Sequence, residues 1–516
     1  MSHASPAINA RRILAIDLGA SSGRVIEVRI RPDDSIDVAE LHRFANAPES
    51  IAIGGTARWV WPFESIWNGV LEGLRIASRD AAPIDSIGID SWAVDYGLVD
   101  DAGRLVAPVS AYRDGRTARP MARIRAAVGD AEIYAATGIA FQPFNTLYQL
   151  AADAEDPARP LEQAERILMI PDLVAQRLCG SAVGERSNAG TTQCFDAAAG
   201  AWIDALVAAA GVPRRILPEV VAAGTELGTL RPRLAASVGL SASTRVIATA
   251  THDTASAVAA APIEASGDVY VSSGTWSLVG VEVERPIRTE AARVAGLTNE
   301  PAAHGGTRLL RNVAGLWILQ ECRRAFEAAG RANSWASLAE AAEAEPAFRS
   351  VIDPDDPRFS PPGLDMPERV RSWCREHGER EPRSDAAIAR TIFDSLALAT
   401  ANAARRVTEA AGVPLRRLAI VGGGAANTVL DRLIAEAAGV EVVLGATEAT
   451  AIGNALVQQA ALDGLAGREA AAAVRGAAAK IEEHARRTFE PTGSLEGPIH
   501  DARSRLAAAS SATSFS

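Results

Sequence analysis

Apolar residues in this chain gather in short runs separated by small polar loops. Residues 13–17 form one such run and residues 25–30 alternate apolar with charged positions; Gly19-Ala20-Ser21-Ser22-Gly23 lies between them. The pattern predicts a β-hairpin with a small-residue loop. Residues 84–99 give two more strand signals around Trp92, and 118–215 read as helices broken by Pro and Gly. An apolar strand follows at 246–250. Thr251-His252-Asp253-Thr254 then opens an Ala-rich helical run to Ala261, which Pro262 closes. Residues 267–283 repeat the first pattern, with Ser272-Ser273-Gly274-Thr275 between two apolar strands. Helical periodicity returns at 312–345 and 384–412. A strand at 418–421 runs into Gly422-Gly423-Gly424, followed by a helix at 425–438, a strand at 441–444 and a helix at 450–466. The Ala- and Ser-rich tail after residue 491 is expected to fray.

The repeated hairpin is the organising feature. A chain of 516 residues exceeds what one core supports, so the two hairpins read as the openings of two duplicated domains. Loops of this kind can turn several backbone N–H groups toward one phosphate. They are equally the residues of ordinary tight hairpins.

Composition narrows the chemistry. The formal charge is −11 with no basic block, against the clustered Lys and Arg that nucleic-acid binding needs. The only lysine is Lys480. No Walker-A loop and no kinase-type strand lysine can exist, so any nucleotide phosphate must be held by backbone N–H groups, Arg and metal. Cys179, Cys194, Cys322 and Cys374 form no CxxC pair, and the seven histidines are scattered; neither a disulfide framework nor a zinc site is expected. Residues 1–12 read as a flexible leader without a signal-peptide core. No apolar run reaches membrane-spanning length, and a cytoplasmic setting is expected.

Several residues could carry chemistry. Asp17 ends the first strand beside the glycine turn, where it either caps the turn or holds Mg²⁺, usually through water. Arg24 leaves the same loop and could supply the charge lysine supplies elsewhere. Asp253, at a helix start, is either an N-cap or a general base that the helix dipole keeps ionised. The three glycines at 422–424 are a tight turn or a place where backbone approaches a flat ligand. They are no dinucleotide fingerprint, because Asn427 stands at the last glycine position. Trp92, Asp95, Phe144, Asn145 and Tyr148 mix rings with polar groups, as carbohydrate pockets and ordinary cores both do.

These motifs resemble the FGGY carbohydrate kinases. The resemblance rests on Ile16-Asp17-Leu18-Gly19-Ala20-Ser21-Ser22-Gly23-Arg24, on Thr251-His252-Asp253-Thr254-Ala255-Ser256-Ala257, and on Ser272-Ser273-Gly274-Thr275-Trp276-Ser277-Leu278. Phe144-Asn145-Thr146-Leu147-Tyr148-Gln149-Leu150 and Asn312-Val313-Ala314-Gly315-Leu316-Trp317 are similar to the branch that phosphorylates L-rhamnulose, and the stretch from Gly422 is similar to the family's adenosine-side signature. The resemblance runs from about residue 13 to about residue 491.

It implies an α/β fold of two actin-like (ribonuclease H-like) domains flanking a deep catalytic cleft. Residues 13–262 would form the N-terminal domain on the sugar and phosphate side and 263–490 the C-terminal domain on the nucleotide side; 491–516 would be a disordered tail. By motif position Asp253 would be the catalytic base and Asp17 the Mg²⁺-side acid. Ala20, Ser21, Ser22, Gly23, Arg24, Thr275, Gln320 and Gly423 would contact ATP; Ala93, His252, Asp253, Thr254 and Asn312 would contact the sugar. The implied partners are ATP and a ketose, with no nucleic acid and no membrane. Alternatives are another ketose (L-fuculose, L-xylulose) or a silent actin-like sensor. One position departs from the branch, which usually carries Trp-Gly-Val-Asp where this chain has Trp92-Ala93-Val94-Asp95. Ala93 adds a methyl at a sugar-contact position.

Overall fold

The computed structural model describes residues 10–33, 35–331, 334–482 and 487–513. Strand β1 (Arg11–Leu18) begins two residues before the expected domain start; the rest of the expected leader, residues 1–9, lies outside the described residues. Ile13, Leu14, Ala15, Ile16 and Leu18 are all fully buried. A strand apolar on both faces belongs to the middle of a sheet covered on both sides, which is where β1 sits.

The chain divides into two compact units. The first takes in the chain up to Ala260, Glu282–Leu309 and a segment that starts at Ala449; the second takes in Ala261–Val281, Leu310–Glu448 and the C-terminal segment. These compact units are not contiguous in sequence, unlike the division expected at 262/263. Glu282–Leu309 and the helix Ala449–Leu462 pack with the first unit, through long-range contacts that composition does not reveal.

In the first unit β1 pairs antiparallel with β2 (Ser22–Ile30), which pairs with β3 (Ile36–Ala45). On its other side β1 runs parallel to β4 (Ser86–Ser91), and β4 runs parallel to β6 (Arg245–His252), with β5 (Glu226–Thr229) at the edge. The helix Ala449–Leu462 lies against this sheet. A Cβ on Gly88 would strike Asn454 and Gln458 of that helix at about 2.6 and 2.5 Å.

In the second unit β7 (Asp268–Ser273) pairs antiparallel with β8 (Trp276–Val283) and parallel with β10 (Arg417–Val421). Strand β11 (Glu441–Leu444) extends the parallel run and β12 (Arg487–Phe489) closes it antiparallel. Each unit thus opens on a hairpin whose first strand has a parallel neighbour on its other side, as the sequence repeat suggests.

Two expectations are corrected here. Asn312 lies on strand β9 (Thr307–Ala314), not in a helix; helix starts only at Trp317. The tail does not fray over Glu496–Thr513, which is helical. Ile499 and Ala502 are buried, Arg505 donates to Glu379 Oε1 at 2.7 Å and to the Phe348 carbonyl at 2.9 Å, and Arg503 donates to the Ala437 carbonyl. Tertiary anchoring overrides a composition that is only weakly amphipathic. Among the described residues no helix is long and apolar enough to cross a membrane.

Candidate active site

Asp17 is the penultimate residue of β1 and faces Arg24 across the antiparallel ladder, where the two side chains form an ion pair. On the parallel side its partner in register is Asp90 of β4. The loop between β1 and β2 is pinned by Asn46, whose Nδ2 donates to the Gly19 carbonyl at 2.6 Å and whose backbone N–H donates to the Ser21 carbonyl at 3.2 Å. Ala20 and Ser22 are half-buried and Ser21 is exposed. Gly23 has a packing reason of its own: a Cβ there would lie 2.3 Å from the Phe44 ring.

Strand β6 runs through His252, and helix starts at Asp253, two residues later than the sequence pattern suggests. Asp253 is therefore not the N-cap. That residue is His252, which makes no side-chain capping bond. Asp253 Oδ1 accepts from the Thr254 N–H at 2.5 Å and the Thr254 hydroxyl at 3.2 Å, and its side chain remains 30 % exposed. The segment is clamped from behind. Glu185 Oε2 accepts from Thr251 N and Oγ1, both at 2.9 Å, and Ser187 Oγ accepts from His252 N at 3.1 Å.

His252 is buried between two carboxylates, with Nδ1 3.1 Å from Glu300 Oε2 and Nε2 3.5 Å from Asp253 Oδ1. Arg308, fully buried, donates to Glu300 at 2.9 Å. His252 and then Arg308, both against it, hold the Glu300 carboxyl below the usual range despite burial. Asp253 moves the other way. Burial pushes its carboxyl up and Asp17 adds to that, while His252 and the Thr254 hydrogen bonds hold it down. Desolvation thus outweighs the lowering influences at this helix start, and the carboxyl lies above its ordinary range.

Asp90 escaped the sequence reading. It is fully buried; burial, then the charges of Asp17 and Asp253, push its carboxyl well above the ordinary range. Asn454 donates to Oδ2 at 2.5 Å, and Oδ1 has no hydrogen-bond partner. An Asp inside the apolar run Ile87-Gly88-Ile89-Asp90 was the available signal, and it echoes Ile16-Asp17. Glu300, Arg308 and Glu185 left no such signal, because only the fold brings them to His252.

Ala93 is half-buried and begins a three-residue turn closed by Asp95 N–H to the Ala93 carbonyl at 2.9 Å. At its centre Val94 has φ 67°, a left-handed conformation that costs a β-branched residue about 1–3 kcal/mol. The Trp61 and Trp92 rings lie tilted at 40° to each other with centroids 4.3 Å apart, close to the turn.

In the second unit Thr275 is half-buried in the loop between β7 and β8. Gly315 packs on that loop so closely that a Cβ would lie 2.5 Å from the Gly274 carbonyl oxygen. Gln320 lies one turn into the helix Trp317–Ala328, and Asn312 is half-buried on β9. The three glycines separate by cause. Gly422 has φ 85° and a Cβ on Gly424 would collide with Ser273 Oγ at 1.9 Å, whereas Gly423 is exposed with open space above it. The following helix is Thr428–Ala438, and Asn427 caps it by accepting from Leu430 N.

The carboxylate oxygens of Asp17 and the unpartnered Oδ1 of Asp90 suit a hard divalent cation that keeps most of its waters. Among the described residues no group of three or more His, Cys, Asp or Glu forms a dedicated metal cage.

Comparison with known proteins follows the same lines. The profile described as the FGGY family of carbohydrate kinases, N-terminal domain, matches residues 12–260, and its C-terminal counterpart matches residues 269–462. The chain belongs to the FGGY family of carbohydrate kinases and is, with it, an ATP-dependent sugar kinase. It is 42% identical over 458 residues to a protein named rhamnulokinase from Pectobacterium carotovorum, covering 88% of this chain and 89% of that one. A rhamnulokinase from Pectobacterium atrosepticum is 40% identical over 455 residues, covering 88% of each. Solved xylulose kinases from Lactobacillus acidophilus and Rhodospirillum rubrum both superimpose with a TM-score of 0.75, at 14% and 20% identity. They cover 98% of this chain and 98% and 99% of their own. Those likenesses define the fold, an α/β two-domain fold of the actin-like, ribonuclease H-like sugar kinases.

Proposed function

We propose that this chain transfers the γ-phosphoryl group of ATP to O1 of L-rhamnulose, giving L-rhamnulose 1-phosphate and ADP. The observation that carries the reading is Asp253: a partly exposed carboxylate at a strand–helix junction, backed by a buried His252–Glu300–Arg308 chain. It is joined by the names of the relatives at 40–42% identity.

In this reading Asp253 accepts the O1 proton as the hydroxyl attacks the γ-phosphorus, a transfer in which the base needs only to be well placed. His252, Thr254, Asn312 and Ala93 contact the sugar. Backbone groups of Ala20, Ser21, Ser22 and Gly23, with the Arg24 charge, face the phosphates. Thr275, Gln320 and the open backbone of Gly423 contact the nucleotide. The first unit thus carries the sugar and phosphate contacts and the second mainly the nucleotide contacts. Asp17 is the acid on the Mg²⁺ side, with Asp90 behind it; the ion, when bound, offsets charge on the phosphate oxygens. A cytoplasmic location fits four free thiols.

Ala93 gives a second reading specific support, since an added methyl could favour another ketose such as L-fuculose or L-xylulose. The test is kcat/KM for the three ketoses in a coupled ADP-release assay. L-rhamnulose is expected to lead. Another sugar ahead by more than about tenfold, roughly 1.4 kcal/mol of transition-state binding, overturns the assignment.

A further inference from the structure

The turn at Val94 is held by more groups than a tight turn needs. Trp92 precedes it and Asp95 follows it, and Trp92 Nε1 donates to Asp95 Oδ2 at 3.0 Å. That bond closes a ring around the two residues between them, Ala93 and Val94. The same Oδ2 accepts from Trp61 Nε1 at 2.6 Å and from Tyr112 N at 3.0 Å, and Oδ1 accepts from Gln149 Nε2 at 2.8 Å. The Val94 carbonyl is gripped separately, by Thr146 Oγ1 at 2.7 Å and Gln149 Nε2 at 3.3 Å. Asp95, Thr146 and Gln149 are all buried. Burial raises the Asp95 carboxyl to about 6 even against the lowering pull of these donors. At neutral pH it remains an anion, the form that accepts four hydrogen bonds.

A strained backbone that its surroundings over-determine is a mark of a binding or switching segment. A purely structural loop would more simply carry glycine at this φ. Here Val94 keeps its side chain, 8 % exposed, and the strain is met by the clamp.

We propose that Asp95 is a positioning residue for the sugar. By tying Trp92, Trp61, Tyr112 and Gln149 to one carboxylate, it fixes the strained Val94 turn and so sets the Ala93 wall against which the ketose binds. This rests on the reading above, in which Ala93 contacts the sugar. Asp95 touches neither substrate; it acts through the turn.

The experiment is steady-state kinetics of the full chain with the best-phosphorylated ketose of the panel, varying sugar and ATP separately. Asp95→Asn keeps the size but loses one of the two oxygens. Its KM for the sugar should rise by about tenfold or more, with kcat and the KM for ATP within about threefold. Thr146→Val, which removes one grip on the Val94 carbonyl, should act in the same direction by about threefold, and it reads out if Asp95→Asn does not fold. In a Val94→Gly background, where the turn is no longer strained, Asp95→Asn should change the sugar KM by less than about threefold. Equal loss for sugar and ATP, a fall in kcat alone, or the same Asp95→Asn effect in both backgrounds would reduce Asp95 to a core residue and overturn the proposal. A wild type that prefers another ketose overturns the L-rhamnulose assignment and leaves this readout intact. A wild type that phosphorylates none of them overturns both.

Discussion

Asn454 reaches from the helix Ala449–Leu462 to the sheet of the first unit and donates to Asp90 Oδ2 at 2.5 Å. It is the one neighbour that favours the charged form through a hydrogen bond; burial, the strongest influence, and the charges of Asp17 and Asp253 favour the protonated form. The folded carboxyl therefore titrates above an unfolded aspartate, ordinarily near 3.9. Such a group contributes stability that is fully present below the unfolded value and is lost as pH rises through the folded one. Asp90→Asn has no proton to lose. Between pH 5 and pH 8, without added divalent metal, the urea midpoint of the wild type should fall relative to that of Asp90→Asn. A constant difference between the two proteins would show that Asp90 does not titrate in this way.

The acid limb of activity should report Asp253. Burial and then Asp17 raise its carboxyl, against the lowering influence of His252. A base must be deprotonated, so kcat/KM for the sugar should begin to fall above the ordinary carboxylate range as pH decreases. His252, 3.5 Å from Oδ1, holds the Asp253 carboxyl down, so His252→Gln should move that limb to still higher pH. A limb that stays put, or moves down, would detach Asp253 from the profile.

Gly453 links fold to chemistry. Its position in the helix Ala449–Leu462 brings that helix so close to Asp253–Ala259 that an added Cβ would lie 1.8 Å from the Ser256 carbonyl oxygen. Gly453→Ala should cost about 1–3 kcal/mol in urea unfolding, as overpacking does. It should also lower kcat, because the displaced helix begins with Asp253. Gly476→Ala in the exposed part of Gly467–Glu482, with nothing within 4 Å, should instead stabilise by about 0.5–1 kcal/mol. If Gly453→Ala is as benign as Gly476→Ala, the close helix contact is not what fixes Asp253.

The two hairpins, the Gly422–Gly424 turn and the strand–helix junction at Asp253 were legible in the chain because each is local: an apolar run, a small-residue loop, a second run. What was not legible was long-range. Asp90 counts only because β4 lies beside β1 and because Asn454, hundreds of residues later, folds onto it. Glu300 and Arg308 reach His252 through a segment that belongs with the first unit although it lies beyond residue 262. Asn312 was misassigned because the helical pattern beyond it runs back onto the end of the strand Thr307–Ala314. The tail misled in the opposite direction: Ala and Ser suggest fraying, and Ile499, Ala502, Arg503 and Arg505 dock the helix.

The roles of the two acids separate in one measurement: kcat of Asp253→Asn and Asp17→Asn across a Mg²⁺ titration, with sugar binding followed by calorimetry. Asparagine at 253 keeps the size and can still meet Thr254, but it cannot take the O1 proton. A positioned base contributes about 10²–10⁴-fold, so kcat should fall by at least about 100-fold at every Mg²⁺ concentration while the sugar still binds. Asp17→Asn should raise the Mg²⁺ requirement and recover in part as Mg²⁺ increases. An Asp253→Asn enzyme that keeps more than about a tenth of its activity, or that Mg²⁺ rescues, would contradict the assignment of Asp253 as the base.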